Sequence, residues 1–336
     1  MPSRATLKSI AKDLGISHMT VSRALSGNPS VHKETRDKIV RRAQELGYVK
    51  NAAATAMRGD ATKIVGLLLP NIVNEFYARF ANAMADACED QSLHLIIHLT
   101  NDDFVQECRA LDRLREVQAM AVILVPTPRV SGQRAALPSD MKAVQLIRQQ
   151  HDFENATSVL VDDHMAISAG VQHLAKSGHS AIGYIGGGVE LSTGRSRLNA
   201  FRHGLSQAGL SERPELVFTE TPSFEMGRRN AEKIIASETA TGIVCGGVEI
   251  SNGALSVLMD RGVIPSSEVG FVGYGDPSYY SWLGGGISTV GLPVDELAQK
   301  AVSIVGTDHP KDQIGSVSQL EARFIQRPIR KADSFS

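Results

Sequence analysis

From Lys63 onward the chain alternates short apolar runs with longer amphipathic ones, a rhythm that few architectures accept. Apolar runs at 64–69, 93–99, 121–125, 144–147 and 159–161 are separated by helix-patterned stretches at 74–90 and 104–115. The cycle restarts with a helix at 164–177, strands at 181–185, 216–219, 242–245 and 269–272, and a helix at 197–208. Continuous β-branched runs between helices are what strands buried on both faces of a parallel sheet look like. The expected fold class is therefore α/β, with two successive parallel sheets of about five strands each forming two lobes around a ligand-binding cleft.

The first 60 residues follow a different pattern. Leu7, Ile10, Ala11 and Leu14 recur at helical spacing behind Thr6, whose hydroxyl can cap a helix, and Gly15 stops it. Ser17 is a second cap candidate. After it Val21, Ala24 and Leu25 supply a core face, while His18, Met19, Thr20, Ser22 and Arg23 point outward. A third helix, about 33–46, brings Ile39, Val40, Ala43 and Leu46 to close a three-helix core. Two short helices joined at a glycine and backed by a third are either a helix-turn-helix DNA reader or a plain helical bundle.

Charge separates these readings. Residues 1–60 hold 11 Lys or Arg against 5 Asp or Glu, whereas the other 276 residues hold 24 against 31. A balance of +6 on the head and −7 on the body is hidden inside a net charge of −1. A basic head is drawn to a phosphate backbone through counterion release, so the pattern favours double-stranded DNA as partner.

Several function classes have no support. The cysteines Cys88, Cys108 and Cys245 are far apart with no C-x-x-C pair, which suits buried thiols in a reducing cytoplasm. The longest apolar runs fall short of the roughly 20 residues of a membrane helix, so the expectation is a cytoplasmic protein with no membrane partner. A dinucleotide-binding enzyme would share the β-α-β rhythm, but Gly186–Gly188 and Gly284–Gly286 do not spell G-x-G-x-x-G, and no G-K-[ST] occurs. His94 and His98 lie on one extended run, about 13 Å apart at 3.3 Å per residue, and cannot share a metal ion. No catalytic grouping, cofactor or metal site is expected.

These residues resemble the LacI/GalR family of bacterial repressors, on Thr6-Leu-Lys-Ser-Ile-Ala, Gly15-Ile-Ser-His-Met-Thr-Val-Ser-Arg, Thr35-Arg and Glu45-Leu-Gly-Tyr-Val-Lys-Asn51. The likeness continues through Ile64-Val-Gly-Leu-Leu-Leu-Pro70, Gly178-His-Ser-Ala-Ile-Gly183, Arg197-Leu-Asn-Ala-Phe201, Gly253-Ala-Leu255 and Val272-Gly-Tyr274. It implies a ligand-responsive regulator, not an enzyme, that binds a pseudo-palindromic operator as a homodimer. The alternative is an enzyme or small-molecule-binding protein carrying a DNA-binding head.

By the resemblance, residues 1–60 form the DNA-binding domain, with a hinge helix at about 51–58, and 61–330 form the effector-binding and dimerisation domain. That body resembles a periplasmic-binding-protein fold. Lobe 1 would comprise about 61–161 plus 292–316, including a helix at 294–305; lobe 2 would comprise 162–291 plus 317–330, including a final strand at 317–324.

His18 and Met19 would read base edges, and Arg23 could make a bidentate contact to guanine. Ser17, Thr20, Ser22 and Thr35 would hold phosphates. Thr6, Leu7, Tyr48, Asn51 and Ala54 complete the implied DNA-binding set, with Met57 as an apolar wedge between central base pairs. His32 stands where the family usually has a serine cap. Phe76, Arg148, Arg197 and Asp276 are the expected effector contacts.

Gly275 and Val248 replace acidic residues usual in sugar-binding members, and Arg148 stands where aspartate is frequent. A cleft that loses carboxylates and gains guanidinium should prefer an anion, so a sugar acid joins sugars as the expected effector. The alternative is that Arg148 faces solvent and Asp276 swings in as a substitute.

Overall fold

The computed structural model describes residues 5–48, 62–129, 141–150, 153, 156–262, 269–306 and 315–327. The chain divides into two units, 1–62 and 63–336.

In the first unit α1 (Leu7–Leu14), α2 (His18–Leu25) and α3 (Lys33–Glu45) enclose Ile10, Ala11, Val21, Ala24, Val31, Ile39 and Ala43. Thr6 and Ser9 cap α1 reciprocally: the Ser9 amide donates to Thr6 Oγ1 at 3.1 Å and the Thr6 amide to Ser9 Oγ at 2.8 Å. Gly15 ends the helix with φ 64°, a left-handed conformation that glycine adopts without steric cost. Ser17 caps α2 by accepting the Thr20 amide at 3.1 Å. His32 gives α3 no side-chain cap. The preceding loop is tied instead by Arg36, whose Nη2 donates to the carbonyls of Asn28 at 2.7 Å and Val31 at 3.3 Å.

The second unit opens with β1 (Ile64–Leu69), α4 (Glu75–Asp90), β2 (His94–Leu99), α5 (Phe104–Glu116), β3 (Ala121–Leu124), β4 (Lys142–Leu146) and β5 (Thr157–Asp162). It continues through α6 (His164–Lys176), β6 (Ile182–Gly187), α7 (Ser192–Gln207), β7 (Val217–Glu220), α8 (Phe224–Ala236), β8 (Gly242–Gly246) and α9 (Val248–Asp260). The last elements are β9 (Gly270–Tyr274), β10 (Ser288–Gly291), α10 (Val294–Gly306), β11 (Val317–Glu321) and β12 (Arg323–Ile325). The strands form two six-stranded sheets, ordered β11-β5-β4-β3-β1-β2 and β12-β10-β9-β8-β6-β7. Central strands such as β3, β6, β8 and β9 are buried along their whole length, as their uninterrupted apolar or small residues require.

The topology corrects the expected lobe assignment at the chain's end. β11 lies parallel to β5 in the first sheet, with Val317 opposite Ser158, and only β12 enters the second sheet, antiparallel to β10. The run expected as one strand changes sheets at Ala322, whose amide donates to the Asp162 carbonyl at 2.8 Å. One extended segment thus crosses between lobes.

The sequence pattern did not mark α8 and α9, each of which carries a glycine at its contact with the other. Those glycines let the helices approach: a Cβ on Gly253 would lie 1.9 Å from the Phe224 carbonyl oxygen, and one on Gly227 would lie 2.2 Å from that of Ile250. Gly186 has a similar packing explanation, since a Cβ there would stand 2.3 Å from the hydroxyl of buried Tyr184. Among the described residues no helix is long and apolar enough to cross a membrane.

Burial lowers the pKa of His173, which packs on Phe324 and is pushed further down by His179 and Lys176; burial also lowers that of His179. Both imidazoles are held neutral in the fold and protonate more readily in the unfolded chain. The unfolded state therefore binds more protons below the ordinary histidine pKa of about 6.5. Stability should be fully present above that pH and fall as pH drops towards the folded values. A pH series of urea unfolding should show the loss. His173→Gln should flatten it, and an unaltered slope in that variant would remove the assignment.

Candidate functional site

Two surfaces carry the predicted site residues. On the head, Ser17, His18, Met19 and Arg23 are exposed, Met19 to 51%, on the side of α2 opposite buried Val21 and Ala24. Thr20, Ser22 and Thr35 are half-buried. Ser17 and Thr20 hold their hydroxyls 2.9 Å apart, at the helix N-terminus where amides and dipole favour an anion. Leu7 and Tyr48 pack part of their side chains against the head core. Thr6 is exposed and occupied with the α1 cap. Asn51, Ala54, Met57 and the hinge helix expected at 51–58 lie outside the described residues.

In the second unit a cavity of about 120 Å³ opens between the two sheets' lobes. Phe76, Arg148 and Arg197 line it, as expected. Phe76 enters from the first turn of α4, whose cap Asn74 accepts the Phe76 amide at 3.0 Å. Arg148 follows β4 after Ile147, a β-branched residue at φ 63°. That left-handed backbone costs on the order of 1–3 kcal/mol and turns the chain out of the sheet at the cleft wall.

Both arginines already have carboxylate partners. Arg148, 12% exposed, donates from Nη1 to Asp102 Oδ1 at 2.5 Å and from Nη2 to Asp102 Oδ2 at 3.3 Å, so it does not face solvent. Arg197 donates from Nε to Asp163 Oδ2 at 2.6 Å and from Nη1 to the Gly246 carbonyl at 3.0 Å, with its guanidinium 4.3 Å from the centre of the Tyr274 ring. Burial alone would lower the Arg197 pKa, but Tyr274 and Asp163 outweigh it and hold the cation. Tyr274, kept neutral by burial, donates its hydroxyl to the same Asp163 oxygen at 2.5 Å. Tyr77 lies in the field of both arginines, and burial raises its phenol above the usual range.

Asp276 is a correction. It is absent from the cleft wall and lines a separate cavity of about 750 Å³ with Arg79, Glu296 and Glu321. Its Oδ1 pairs with Arg327 Nη2 at 2.7 Å, while its carbonyl accepts Arg79 Nη1 at 3.4 Å. The Asp276 backbone, at φ 50° directly after Gly275, carries the side chain towards Arg327 instead of the cleft.

The departures at Gly275 and Val248 prove to be one change. Gly275 has φ 104°, and a Cβ there would lie 2.5 Å from Val248 Cγ2. The valine fills the room that the glycine leaves. Sequence reasoning missed Tyr77, Asp102, Asp163, Tyr274 and Glu249, which complete the polar groups in or behind the cavity wall. Asp102 and Asp163 are distant in sequence from the arginines they meet, and only the exposed-looking carboxylate after a strand could have hinted at them.

With Arg148 paired to Asp102 and Arg197 to Asp163, the cleft has, among the described residues, no free guanidinium to favour an anion.

Comparisons place this geometry among known proteins. Residues 6–51 match the family model described as bacterial regulatory proteins, lacI family, and residues 171–327 match a periplasmic binding protein-like domain. Catabolite control protein A of Priestia megaterium is 24% identical over 97% of this chain and 99% of its own. The ribose operon repressor of Haemophilus influenzae is 26% identical over 89% of this chain and 90% of its own. The lac repressor dimer, solved with operator and the anti-inducer ONPF, superposes with a TM-score of 0.80 at 17% identity, covering 98% of this chain and all of that one.

Proposed function

Because this chain belongs to the LacI/GalR family of bacterial transcriptional regulators, we propose that it is a cytoplasmic repressor that binds a pseudo-palindromic operator as a homodimer and changes affinity when a small polar metabolite enters the cleft. The observation that carries the reading is the basic head with an exposed His18-Met19 and Arg23 face, joined in one chain to a two-lobed body whose cleft is lined largely by half-buried polar groups. One short recognition helix reads too few bases for specificity, so two-fold pairing is needed. A surface suited to pairing exists on β2, an edge strand with Ile97 and Leu99 exposed. The effector acts only by binding one lobe arrangement better than the other. Its expected class is a sugar-sized metabolite with several hydroxyls, received by Asn71, Asn74, Tyr77, Thr193 and the inward edges of Arg148 and Arg197.

Selection of bound DNA from a random pool, followed by footprinting, tests the operator. Protection of two symmetric half-sites with steep loss on adding salt is the expected result. Protection of one half-site by a monomer, or binding indifferent to ionic strength, would remove the reading. Arg23→Ala should cost about 1–3 kcal/mol on the operator and relax preference at one base pair. Equal losses on operator and random DNA would show a phosphate contact instead.

A further inference from the structure

Among the described residues, one charged side chain of the cleft has no partner. Arg148 is paired with Asp102, and Arg197 with Asp163. Glu249 lines the same cavity from the first turn of α9, half-buried, with no hydrogen-bond or ion-pair partner among the described residues. The neighbouring hydroxyl of Tyr279 is directed elsewhere, donating to Asn252 Oδ1. Burial raises the Glu249 carboxyl, and neither arginine contributes an opposing pull. Summed over these five groups, two cations against three carboxylates, the cleft carries one negative charge in excess. An ionised carboxylate is acceptor-only, and leaving it partly desolvated without a donor is costly.

Resting on the reading of this cleft as the effector site, we propose that Glu249 is a specificity-determining residue and that the effector carries a protonated amino group, which the Glu249 carboxylate receives. The wall around it supports the assignment. Val248 and Gly275 are packed against one another and Ile250 follows, so among the described residues Glu249 is the sole carboxylate on that side of the cavity. The α9 N-terminus favours the ionised form by its dipole, keeping the charge available for a cation. A carboxylated ligand meets the reverse situation. It would add a second anion beside Glu249, and the guanidinium groups that could neutralise it are engaged with Asp102 and Asp163. Detaching Arg197 strands the buried Asp163 carboxylate, and detaching Arg148 gives up its two hydrogen bonds to Asp102. An amine, in contrast, forms a charge-assisted hydrogen bond and cancels the excess charge without disturbing either pair.

The test uses full-length protein and matched triplets of neutral, amino and acid sugars: glucose, glucosamine and gluconate, with the galactose and mannose counterparts. Binding is measured by calorimetry and thermal shift. In at least one triplet the amino member should bind about tenfold or more tighter than the neutral one, with the acid weakest. Glu249→Gln, which keeps the side chain's shape, should remove that preference while leaving the unliganded melting temperature near wild type; Glu249→Ala should behave alike. An amino preference that persists in both variants overturns the proposal, as does an acid that binds best or an absence of amino binding. If a neutral or acid member binds and Arg197→Lys weakens it, the cleft remains the effector site and only the amine assignment fails. If no member binds and none alters operator affinity, the cleft reading falls with it.

Discussion

Replacing Asp163 with alanine should lower the unfolding free energy of the second unit by about 3–5 kcal/mol, the cost of leaving a buried cation without its partner. Asp163 is 4% exposed at its side chain and Arg197 13%, and the same Asp163 oxygen also accepts the Tyr274 hydroxyl. The substitution therefore strips two buried donors at once. Urea unfolding followed by circular dichroism measures the loss. Adding Arg197→Met to Asp163→Ala should recover much of it, because the stranded charge leaves with the arginine. A loss below about 1 kcal/mol in the single variant would mean that water reaches Arg197 and that the pair is a surface ion pair in energetic terms. Effector response should disappear in both variants, since the guanidinium loses its position or its charge.

Glu107→Ala should have an effect of similar size, about 3–5 kcal/mol, in the first lobe. Glu107 is fully buried on α5, and its Oε1 accepts Arg129 Nη2 at 2.8 Å while Oε2 accepts the Thr127 amide at 2.7 Å. Arg129, 7% exposed, lies between the rings of Phe104 and Phe153, 4.9 and 4.8 Å from their centres. The glutamate thus holds the segment after β3 by a side-chain ion pair and a backbone hydrogen bond. Glu107→Gln keeps the shape and one acceptor oxygen while losing the charge and the second acceptor, and should cost less than Glu107→Ala. Equal costs for the two variants would show that charge, not volume, decides the site. The operator affinity of the purified, folded variants should stay close to wild type, because no head residue is touched.

Much of the architecture was legible because it depends on local periodicity. The run at 64–69 is β1, and the stretch at 164–177 contains α6, because β-branched runs and helical spacing report their own burial. Thr6, Gly15 and Ser17 were readable for the same reason: capping is decided by a few adjacent residues. The helices α8 and α9 were not: their close approach at Gly227 and Gly253 is a tertiary contact that local spacing does not report. The extended run at 317–324 looked like one strand, but which sheet each half joins depends on free strand edges built elsewhere in the chain, β5 for the first half and β10 for the second.

Charge and spacing among residues close together in the chain were enough for the division into a basic helical head and an acidic α/β body and for the outward face of α2. Phe76, Arg148 and Arg197 were implied by the family resemblance, and the fold puts them on one cavity wall. The electrostatic character of the cleft came from tertiary contacts. Whether Arg148 selects an anion depends on Asp102, 46 positions away, and whether Arg197 does depends on Asp163, 34 positions away. Charge in a buried site is a sum over neighbours in space, and a desolvated guanidinium is silent once a carboxylate has met it. The same sum turned Asp276 towards Arg327 and left Glu249 as the group without a partner.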